Sequence, residues 1–576
     1  MGLLAFAVLG ATGGWQAHRA LSVKDHLEVV KGELLQLRAA ATATGDPTAV
    51  TGSLRTALSH AAEARRITAG ADWALLERLP FVGDGTAVVR SLSDSAAELT
   101  EALTDLQQSG TALAATGMRS MSDLRLVLAA VAKAEPVLKS AAARLDAVRA
   151  RLVATPASTG LSELDEARAT ALAELDKLHG WLGAAETAAA LLPPMLGRDG
   201  PRRYFLAFQT NAEARGTGGL VGAFGILEVA GGRINVKRLD SNAGIAEART
   251  PVVDYGPAYR ARYGPGATSL LSISNLSPHF PYAAGIWTGL WERQTGRRLD
   301  GAIATDPEGL AYLLRLIGPV TLPGGERVTA DNVVDLTERA AYERFEDPVE
   351  RKRFLIGIAG AVSESLTGHL AEPAAALPIL AELISERRLQ VWSRREAEQR
   401  LLAATPLGGE LPASAGPFAG LVVNNAAGGK LDYYLERSVD YELGPCYGGL
   451  RYARVRIRLG NDVPRRPLSS YVTGRLDSPE EKHAEGANLL WVSLYAGVGA
   501  RLNAAWLDGR AISVLEGKER SHPVFSKMVE LAPRQSRTLE LSLVEPSSNK
   551  PAQAPAQPLV RPQRTRIMQN PQGCTP

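Results

Sequence analysis

Four basic residues gather where one helix is predicted to begin. The pattern Asp347-Pro348-Val349-Glu350 is a capping box that starts a helix, and the basic residues around it are Arg344, Arg351, Lys352 and Arg353. Backbone N–H groups and the helix dipole already make such an end positive, so a bound anion would gain charge-assisted hydrogen bonds there. We therefore expect an anion site. The alternative is a solvated helix end whose cations pair with acidic neighbours, namely Glu343, Glu346 and Glu350.

A second polar group lies in the loop from Thr210 to Gly218. It contains Asn211 and Arg215 and runs into a glycine-rich stretch made of Gly216, Gly218, Gly219 and Gly222. Glycines let a backbone approach a ligand or turn at positive φ. If this loop meets the helix start, Asn211 and Arg215 join Arg344, Arg351 and Arg353 around a diphosphate. A tight turn in a sheet is the alternative, and the spacing fits neither a dinucleotide motif nor a P-loop.

Several other chemistries leave no pattern in the sequence. There is no GxSxG, no cysteine motif of a nucleophile and no HExxH among the eight histidines, so we expect no cofactor and no metal. The net charge of +3, from 64 basic and 61 acidic residues, gives no reason to expect a nucleic-acid partner. If the chain is exported, the two cysteines, Cys446 and Cys574, are expected to form one disulfide; separate thiols are the alternative.

Strand signals surround the glycine loop. Tyr204 to Gln209 and Gly219 to Val229 are apolar runs of strand length, and Ile234 to Leu239 alternates after a hairpin-type turn. Further on, Leu299 to Leu322 reads as strand, helix and strand, with Asp306 as the helix N-cap, which predicts a βαβ unit. Residues 200–430 are therefore predicted to form an α/β domain around one sheet.

The flanking regions differ in composition. Residues 1–18 carry no Lys, Arg, Asp or Glu and are interpreted as the remainder of one N-terminal membrane anchor that starts upstream; a buried helix is the alternative. Leucines at three-, four- and seven-residue steps predict an α-helical bundle over residues 19–195, with Pro193-Pro194 in the linker that follows.

Residues 431–576 are predicted to form a β-rich, sandwich-like domain with an extended C-terminal arm. Arg451 to Leu459 alternates along one of its strands, and Leu559 to Met568 is a candidate edge strand in the arm. The arginines of the alternating strand are Arg451, Arg454, Arg456 and Arg458. They are expected on the solvent face of a half-buried strand, with contact to an anionic polymer as the alternative.

The sequence resembles a known family through five segments. They read WALLERLPFVGD, YFLAFQTNAEARGTGGLVGAFGILEVAGGRINVKRLD, SISNLSPHFPYAAGIW, RLDGAIATDPEGLAYLLRLIGPV and NNAAGGKLDYYLERSVDY. With these it is similar to bacterial, mostly actinobacterial, envelope proteins called domain of unknown function 4012. The resemblance covers most of the chain and implies an extracytoplasmic location.

In its order of elements the chain also resembles the LytR-CpsA-Psr glycopolymer transferases, which hold a polyprenyl pyrophosphate with arginines and use aspartates with Mg²⁺. The resemblance places Arg215 at their first loop arginine and Arg344, Asp347, Arg351 and Arg353 at their arginine-rich helix start. Gly218-Gly219-Leu220 and Ser241-Asn242-Ala243 stand where those enzymes carry Arg-Ser-Asp and Pro-Arg-Asp. The resemblance therefore implies binding without an acidic metal site.

Three functions remain open on this basis. The preferred one is a membrane-anchored envelope protein that binds a phosphate-bearing lipid-linked glycan or an anionic wall polymer without strong catalysis. A divergent glycopolymer-to-wall phosphotransferase, with Mg²⁺, is the enzymatic alternative. The third is an envelope scaffold whose helical bundle and β domain bind protein partners.

Overall fold

The computed structural model describes residues 18–37, 47–114, 124–366, 376–413, 416–478, 480 and 483–574. The predicted anchor, residues 1–18, lies outside the described residues except for His18. The described chain forms two compact units, one within residues 1–199 and one within residues 200–576. It is a mixed α and β chain that begins with helices and continues with several sheets.

The first unit consists of helices. They are α1 (18–37), α2 (Pro47–Thr68), α3 (Ala71–Leu76), α4 (Gly83–Ala114), α5 (Leu124–Ala154) and α6 (Ser162–Met195). Helix α4 packs against α2, α5 and α6, and the leucines and alanines that recur at helical spacing fill the contacts, for example Leu145, Leu152 and Leu175. Pro193 and Pro194 lie inside α6, not in the linker predicted there, because α6 continues to Met195. No helix in the described part of the chain is both long and apolar enough to span a membrane.

The second unit starts with a five-stranded sheet. Its strands are β1 (Arg202–Arg215), β2 (Gly218–Ala230), β3 (Arg233–Ser241), β4 (Gly301–Thr305) and β7 (Leu389–Ser393), in the order β3-β2-β1-β4-β7. Strand β1 is parallel to β4, and the other neighbours are antiparallel. The helices around the sheet are α7 (Pro257–Tyr263), α8 (Phe280–Thr295), α9 (Pro307–Ile317), α10 (Val333–Asp335), α11 (Ala341–Arg344), α12 (Pro348–Ser365), α13 (Ala376–Ser385) and α14 (Glu396–Ala403). A π-helical turn, Leu336–Ala340, joins α10 to α11.

The predicted βαβ unit is wrong in its last strand. Strand β4 and helix α9 form as expected, and Asp306 Oδ1 accepts a 2.8 Å hydrogen bond from the Gly309 N–H as N-cap. The next strand, β5 (Val320–Thr321), pairs with β6 (Arg327–Val328) in a separate hairpin. Gly318 has φ +80 and turns the chain away after α9, and the free edge of β4 is taken by β7.

Two further sheets share one apolar core. The four-stranded sheet has the order β14-β15-β11-β8 and the six-stranded sheet the order β13-β12-β16-β10-β9-β17. Their strands are β8 (Ala419–Asn425), β9 (Leu435–Tyr447), β10 (Leu450–Asn461), β11 (Asn488–Ala496), β12 (Arg501–Leu507), β13 (Arg510–Ala511), β14 (Leu515–Glu519), β15 (His522–Leu531), β16 (Ser536–Pro546) and β17 (Arg564–Gln569). One short helix, α15 (Ser470–Thr473), follows β10 and precedes β11 in the sequence. Because β8 pairs with β11, residues Ala419–Asn425 belong to the four-stranded sheet.

The arginine row of β10 does not share one face. Arg454 and Arg458 are exposed, but Arg451 is buried and continues the inward row of Ala453 and Val455. Its Nε lies 3.8 Å from a carboxylate oxygen of Glu545, which is also buried. The prediction that Arg451 faces solvent is therefore wrong, because residues two apart along a strand share a face and Arg451 is in step with Ala453, not with Arg454 and Arg458.

Candidate functional site

Buried polar groups converge on residues 210–219, which we continue to call the loop. The structure differs from the prediction here, because residues 210–215 form the irregular end of β1 and only Gly216 and Thr217 lie between β1 and β2. The Glu338 carboxylate accepts hydrogen bonds from the Thr210 hydroxyl at 2.9 Å and from the backbone N–H groups of Asn211 at 3.1 Å and Ala212 at 2.6 Å. Glu338 is held there by the π-helical turn. Burial raises the pKa of Glu338 to about 7, against the opposing effect of these three donors.

A second buried carboxylate, Asp432, binds the same loop from the other side. It accepts hydrogen bonds from the backbone N–H of Ala214 at 2.8 Å and from the side-chain amides of Asn425 and Asn488, each at 2.7 Å. Burial raises the pKa of Asp432, while these donors and the Arg215 charge oppose the rise. Both carboxylates are thus engaged in structural hydrogen bonds, Glu338 mainly with backbone and Asp432 mainly with side-chain amides.

Amide side chains complete the attachment of the loop. Asn275 Nδ2 lies 2.8 Å from both the Thr217 hydroxyl and the Gly219 carbonyl oxygen. Gln557 Nε2 donates to the Arg215 carbonyl at 2.6 Å, and Gln390 Nε2 donates to the Thr217 carbonyl at 2.9 Å. The loop is therefore a junction between the sheets, and hydrogen bonds to buried side chains hold its backbone in place.

Close packing explains two of the glycines in this loop. A Cβ on Gly216 would lie 2.3 Å from the Leu276 carbonyl oxygen, and a Cβ on Gly219 would lie 2.1 Å from the Thr210 carbonyl oxygen. Neither position can hold a larger residue without moving backbone. The tight-turn alternative accounts for these glycines.

Arg215 and Arg351, which the sequence predicts on one anion, lie in different surroundings. Arg215 is buried, and its guanidinium donates to the carbonyl oxygens of Ser272 at 3.1 Å and Ala214 at 2.9 Å. Arg351 is buried as well. Its guanidinium lies 3.8 Å from the ring centroid of Tyr471 and donates to the Phe345 carbonyl at 2.9 Å. The two sets of contacts share no residue.

The remaining predicted residues are also spread out. Arg344 forms a 2.6 Å ion pair with Glu326, and Arg353 is exposed. Asn211 is fully buried and donates from Nδ2 to the Pro558 carbonyl at 3.0 Å. Asp347 caps α12 through a 2.9 Å bond from the Val349 N–H, as its sequence predicts.

A disulfide fixes the end of the chain. Cys446 in β9 is bonded to Cys574, which closes a loop with a sequence separation of 128. Strand β17 in the same arm pairs in parallel with β9 at the edge of the six-stranded sheet. The arm is therefore held by both a covalent bond and a strand.

A small cleft opens beside the loop, and sequence reasoning missed it. About 40 Å³ of open volume is lined by Gly216, Pro278, Arg387, Gln390, Glu410, Leu411, Pro412, Phe418, Gly420, Leu421, Val422, Tyr495, Pro555, Gln557 and Pro558. Arg387 is partly buried and has no acidic partner among the described residues. Burial lowers the pKa of Arg387, with no neighbouring charge to offset it.

Further basic groups lie next to this cleft. Arg520 Nη1 lies 2.8 Å from His279 Nε2, and its Nη2 lies 3.4 Å from the Glu410 carboxylate. Burial, together with the charges of Arg520 and Arg387, lowers the pKa of His279 to about 2, so this imidazole is neutral at physiological pH. Glu410 is further engaged by the Gln399 amide at 3.0 Å. Among the residues that the structure describes, Arg387 is thus the cation of the cleft without an acidic partner.

Arg387 also has an unusual backbone. Its φ is +59, in the left-handed region that disfavours a side chain with a Cβ. It follows α13 and precedes Arg388, which is buried in an ion pair with Asp306 at 2.8 Å. The conformation ends α13 as a left-handed cap, in which the Arg387 N–H donates to Ile384 O and the Arg388 N–H to Leu383 O, each at 3.0 Å. Nothing in the sequence around Glu386 to Leu389 signals this conformation.

Acidic or sulfur ligands are not clustered in the described part of the second unit. Across all the described ranges, no three His, Cys, Asp or Glu side chains come close enough together to hold a metal ion. The described residues therefore provide no group of carboxylates that could hold Mg²⁺, and we assign no chemical step to that ion.

Comparison with known proteins gives one family match, and it covers the region that contains the loop. No curated protein is significantly similar to the chain. A Legionella pneumophila crystal structure titled "putative nutrient binding protein" aligns over 23% of this chain and 44% of that chain, with 5% identity and a TM-score of 0.15, a likeness too small to carry an argument. Residues 199–342 match the family model described as protein of unknown function (DUF4012). The matched region runs from β1 to the π-helical turn that carries Glu338, and the match supports the resemblance to the DUF4012 family that the sequence segments predict.

Proposed function

We propose that this chain is a membrane-anchored envelope protein that binds the phosphoryl group of a lipid-linked glycan or wall polymer and does not transfer it. The observation that carries the proposal is the cleft cation Arg387, which has no acidic partner among the described residues. A partly buried guanidinium gains most from an anion, because the ligand replaces the hydration that burial removes.

The size and lining of the cleft limit what can enter. The cleft has room for a phosphoryl-sized group or a few water molecules. Around Arg387 the wall is largely apolar, with Pro278, Leu411 and Phe418 among its residues. The remainder of a phosphorylated ligand would then lie outside the cleft on the protein surface.

The absence of transfer is inferred from how the buried carboxylates are used. Glu338 and Asp432 are the deeply buried acids of the loop, and both accept three hydrogen bonds from the protein itself. A carboxylate that holds backbone in place is poorly placed to act as a base. The phosphotransferase is therefore our second candidate, and a scaffold for protein partners is the third.

The finer architecture belongs to this proposal as well. We infer that residues from 200 to the end of α14 share the LytR-CpsA-Psr fold and that the two C-terminal sheets form a β-sandwich. The shared apolar core of the two sheets supports the second inference. The parallel pairing of β1 with β4, followed by α9, supports the first.

Binding of simple phosphates tests the proposal. We expect the full chain to bind farnesyl phosphate and inorganic pyrophosphate by calorimetry, and Arg387→Gln to weaken both at least tenfold. Arg353→Gln is the matched control, because Arg353 is exposed and outside the cleft, and it should change affinity less than twofold. Equal binding by wild type and Arg387→Gln would remove the cleft as the site, and a selective loss in Arg353→Gln would return it to the start of α12.

A further inference from the structure

One end of the helical unit carries a compact group of exposed apolar side chains. We call it the apolar tip and define it as Leu75, Leu79, Phe81, Val82 and Leu161. Phe81 is completely exposed at 102%, and the other four are between 46% and 64% exposed. A cluster of large apolar residues on a surface marks an interaction site more often than single exposed residues do.

The tip is built from two neighbouring segments. Four of its residues lie in α3 and in the turn that joins α3 to α4. Leu161 precedes α6, and a Cβ on Gly85 in the first turn of α4 would lie 3.9 Å from Leu161 Cδ1. The fifth residue therefore lies beside the turn that carries the others.

Backbone hydrogen bonds order the turn. The Arg78 N–H donates to Leu75 O at 3.1 Å, the Leu79 N–H to Leu76 O at 3.0 Å, and the Gly83 N–H to Leu79 O at 2.9 Å. Phe81 has φ +68, so the chain holds a bulky residue in a strained conformation with its ring fully exposed.

The chain enters the unit at this same end. Arg19, at the start of α1, forms an ion pair with Asp72 and donates to the Ile67 carbonyl. Lys24, one turn further along α1, lies 3.1 Å from Glu163 beside the tip. The segment that precedes α1, residues 1–17, contains no Lys, Arg, Asp or Glu. An apolar segment thus reaches the unit beside an apolar surface.

Charges around the tip are nearly balanced. Arg19 pairs with Asp72, Lys24 with Glu163, and Arg90 with Glu77. Arg78 is exposed between Leu75 and Leu79 in the sequence. Attraction to an anionic surface therefore contributes little, and apolar burial has to carry the interaction.

We infer that the apolar tip inserts into the outer face of the lipid bilayer next to the predicted anchor and fixes the orientation of the helical unit on the membrane. This inference rests on the anchoring part of the proposed function and is independent of the Arg387 cleft. It predicts two contacts with lipid, one from the preceding segment and one from the tip, which together bind more firmly than either alone.

The test places a fluorophore at the tip of the full chain. Phe81→Cys labelled with NBD is compared with Leu35→Cys, an exposed apolar position near the other end of α1. Since the native cysteines form the disulfide, labelling without reductant is selective. Neutral phosphatidylcholine vesicles with brominated acyl chains should quench NBD at position 81 at least threefold more than at position 35. Leu79→Asp with Phe81→Asp should reduce the floated fraction at least threefold, with little effect of salt.

Each other outcome overturns the inference. Vesicle flotation without quenching at position 81 would keep the anchor and reject the tip. Equal quenching at both positions would mean non-specific adsorption, and no flotation would reject both anchor and tip. Self-association of the full chain that the aspartate variant abolishes, without quenching by lipid, would assign the tip to a second copy of the chain. Failure of phosphate binding at Arg387 has no bearing on these readouts.

Discussion

Replacing Arg387 with glutamine should stabilise the ligand-free protein and weaken anion binding at least tenfold at the same time. Arg387 is partly buried in the cleft without an acidic partner in the described part of the chain, and burial lowers its pKa. Removing this charge relieves a desolvation penalty of about 1 kcal/mol. For a chain of this size, that corresponds to a rise in Tm of about 1–2 °C.

The same substitution removes the donors that an anion would use. A hydrogen bond to a charged group contributes about 1.5–3 kcal/mol, so the loss of one or two such bonds weakens binding by about tenfold to a thousandfold. Arg387→Lys keeps the charge but not the planar fork, and an intermediate affinity is expected. Calorimetry with pyrophosphate and differential scanning of the same samples measure both quantities.

The backbone supplies a second variant for separating charge from strain. Arg387→Gly removes the charge and also relieves the left-handed φ of +59, which adds about 1 kcal/mol of stability beyond the glutamine variant. Arg353→Gln, an exposed position, should change neither affinity nor Tm. A lower Tm with unchanged affinity in Arg387→Gln would refute the reasoning, because the guanidinium would then be a structural group whose partner lies within the protein.

Three other outcomes follow from the buried polar groups and the disulfide. Glu338→Ala leaves three donors of the loop unpaired and should lower the free energy of unfolding by about 3–5 kcal/mol in urea titrations. Glu346 is exposed, so Glu346→Ala serves as the control and should lower it by less than about 0.5 kcal/mol. Burial raises the pKa of both Glu338 and Glu545 to about 7, so the folded state holds protons that the unfolded state has lost above about pH 4.5. The free energy of unfolding should therefore fall as the pH rises from about 4.5 to 7, by up to about 1.4 kcal/mol per pH unit for each group. Glu545→Gln should make this fall with pH less steep. A free energy of unfolding that rises over this range would contradict the prediction. Replacing Cys446 and Cys574 with serine opens a loop with a sequence separation of 128 and should lower the free energy of unfolding by about 4–5 kcal/mol. Proteolysis of the C-terminal arm should also become faster. An unchanged midpoint of urea unfolding would count against this prediction.

Local signals in the sequence predict much of the fold. Asp306 and Asp347 cap their helices because an acidic residue followed by proline has one favoured local structure. The alternation of β10 and the leucine steps of the first unit likewise come from short-range periodicity. These features depend on residues a few positions apart.

The parts that were missed depend on distant partners. Strand β5 leaves the main sheet because β7, about 70 residues later, occupies the edge of β4. Glu338 and Asp432 have no motif, yet both bind the loop from more than 100 residues away. Arg387 gains its importance from the lack of a partner, which no sequence pattern can display. The predicted arginines, by contrast, are satisfied locally, Arg215 by carbonyl oxygens and Arg351 by Tyr471.

Locating a heavy oxyanion in crystals of the full chain tests the central claim most directly. Tungstate has the charge and tetrahedral shape of phosphate, and its anomalous signal marks its position. We predict a peak in the cleft within hydrogen-bonding distance of the Arg387 guanidinium and no peak there in crystals of Arg387→Gln. A cleft that stays empty in the wild-type chain, or a peak at Arg215 or at the start of α12 instead, would contradict the claim.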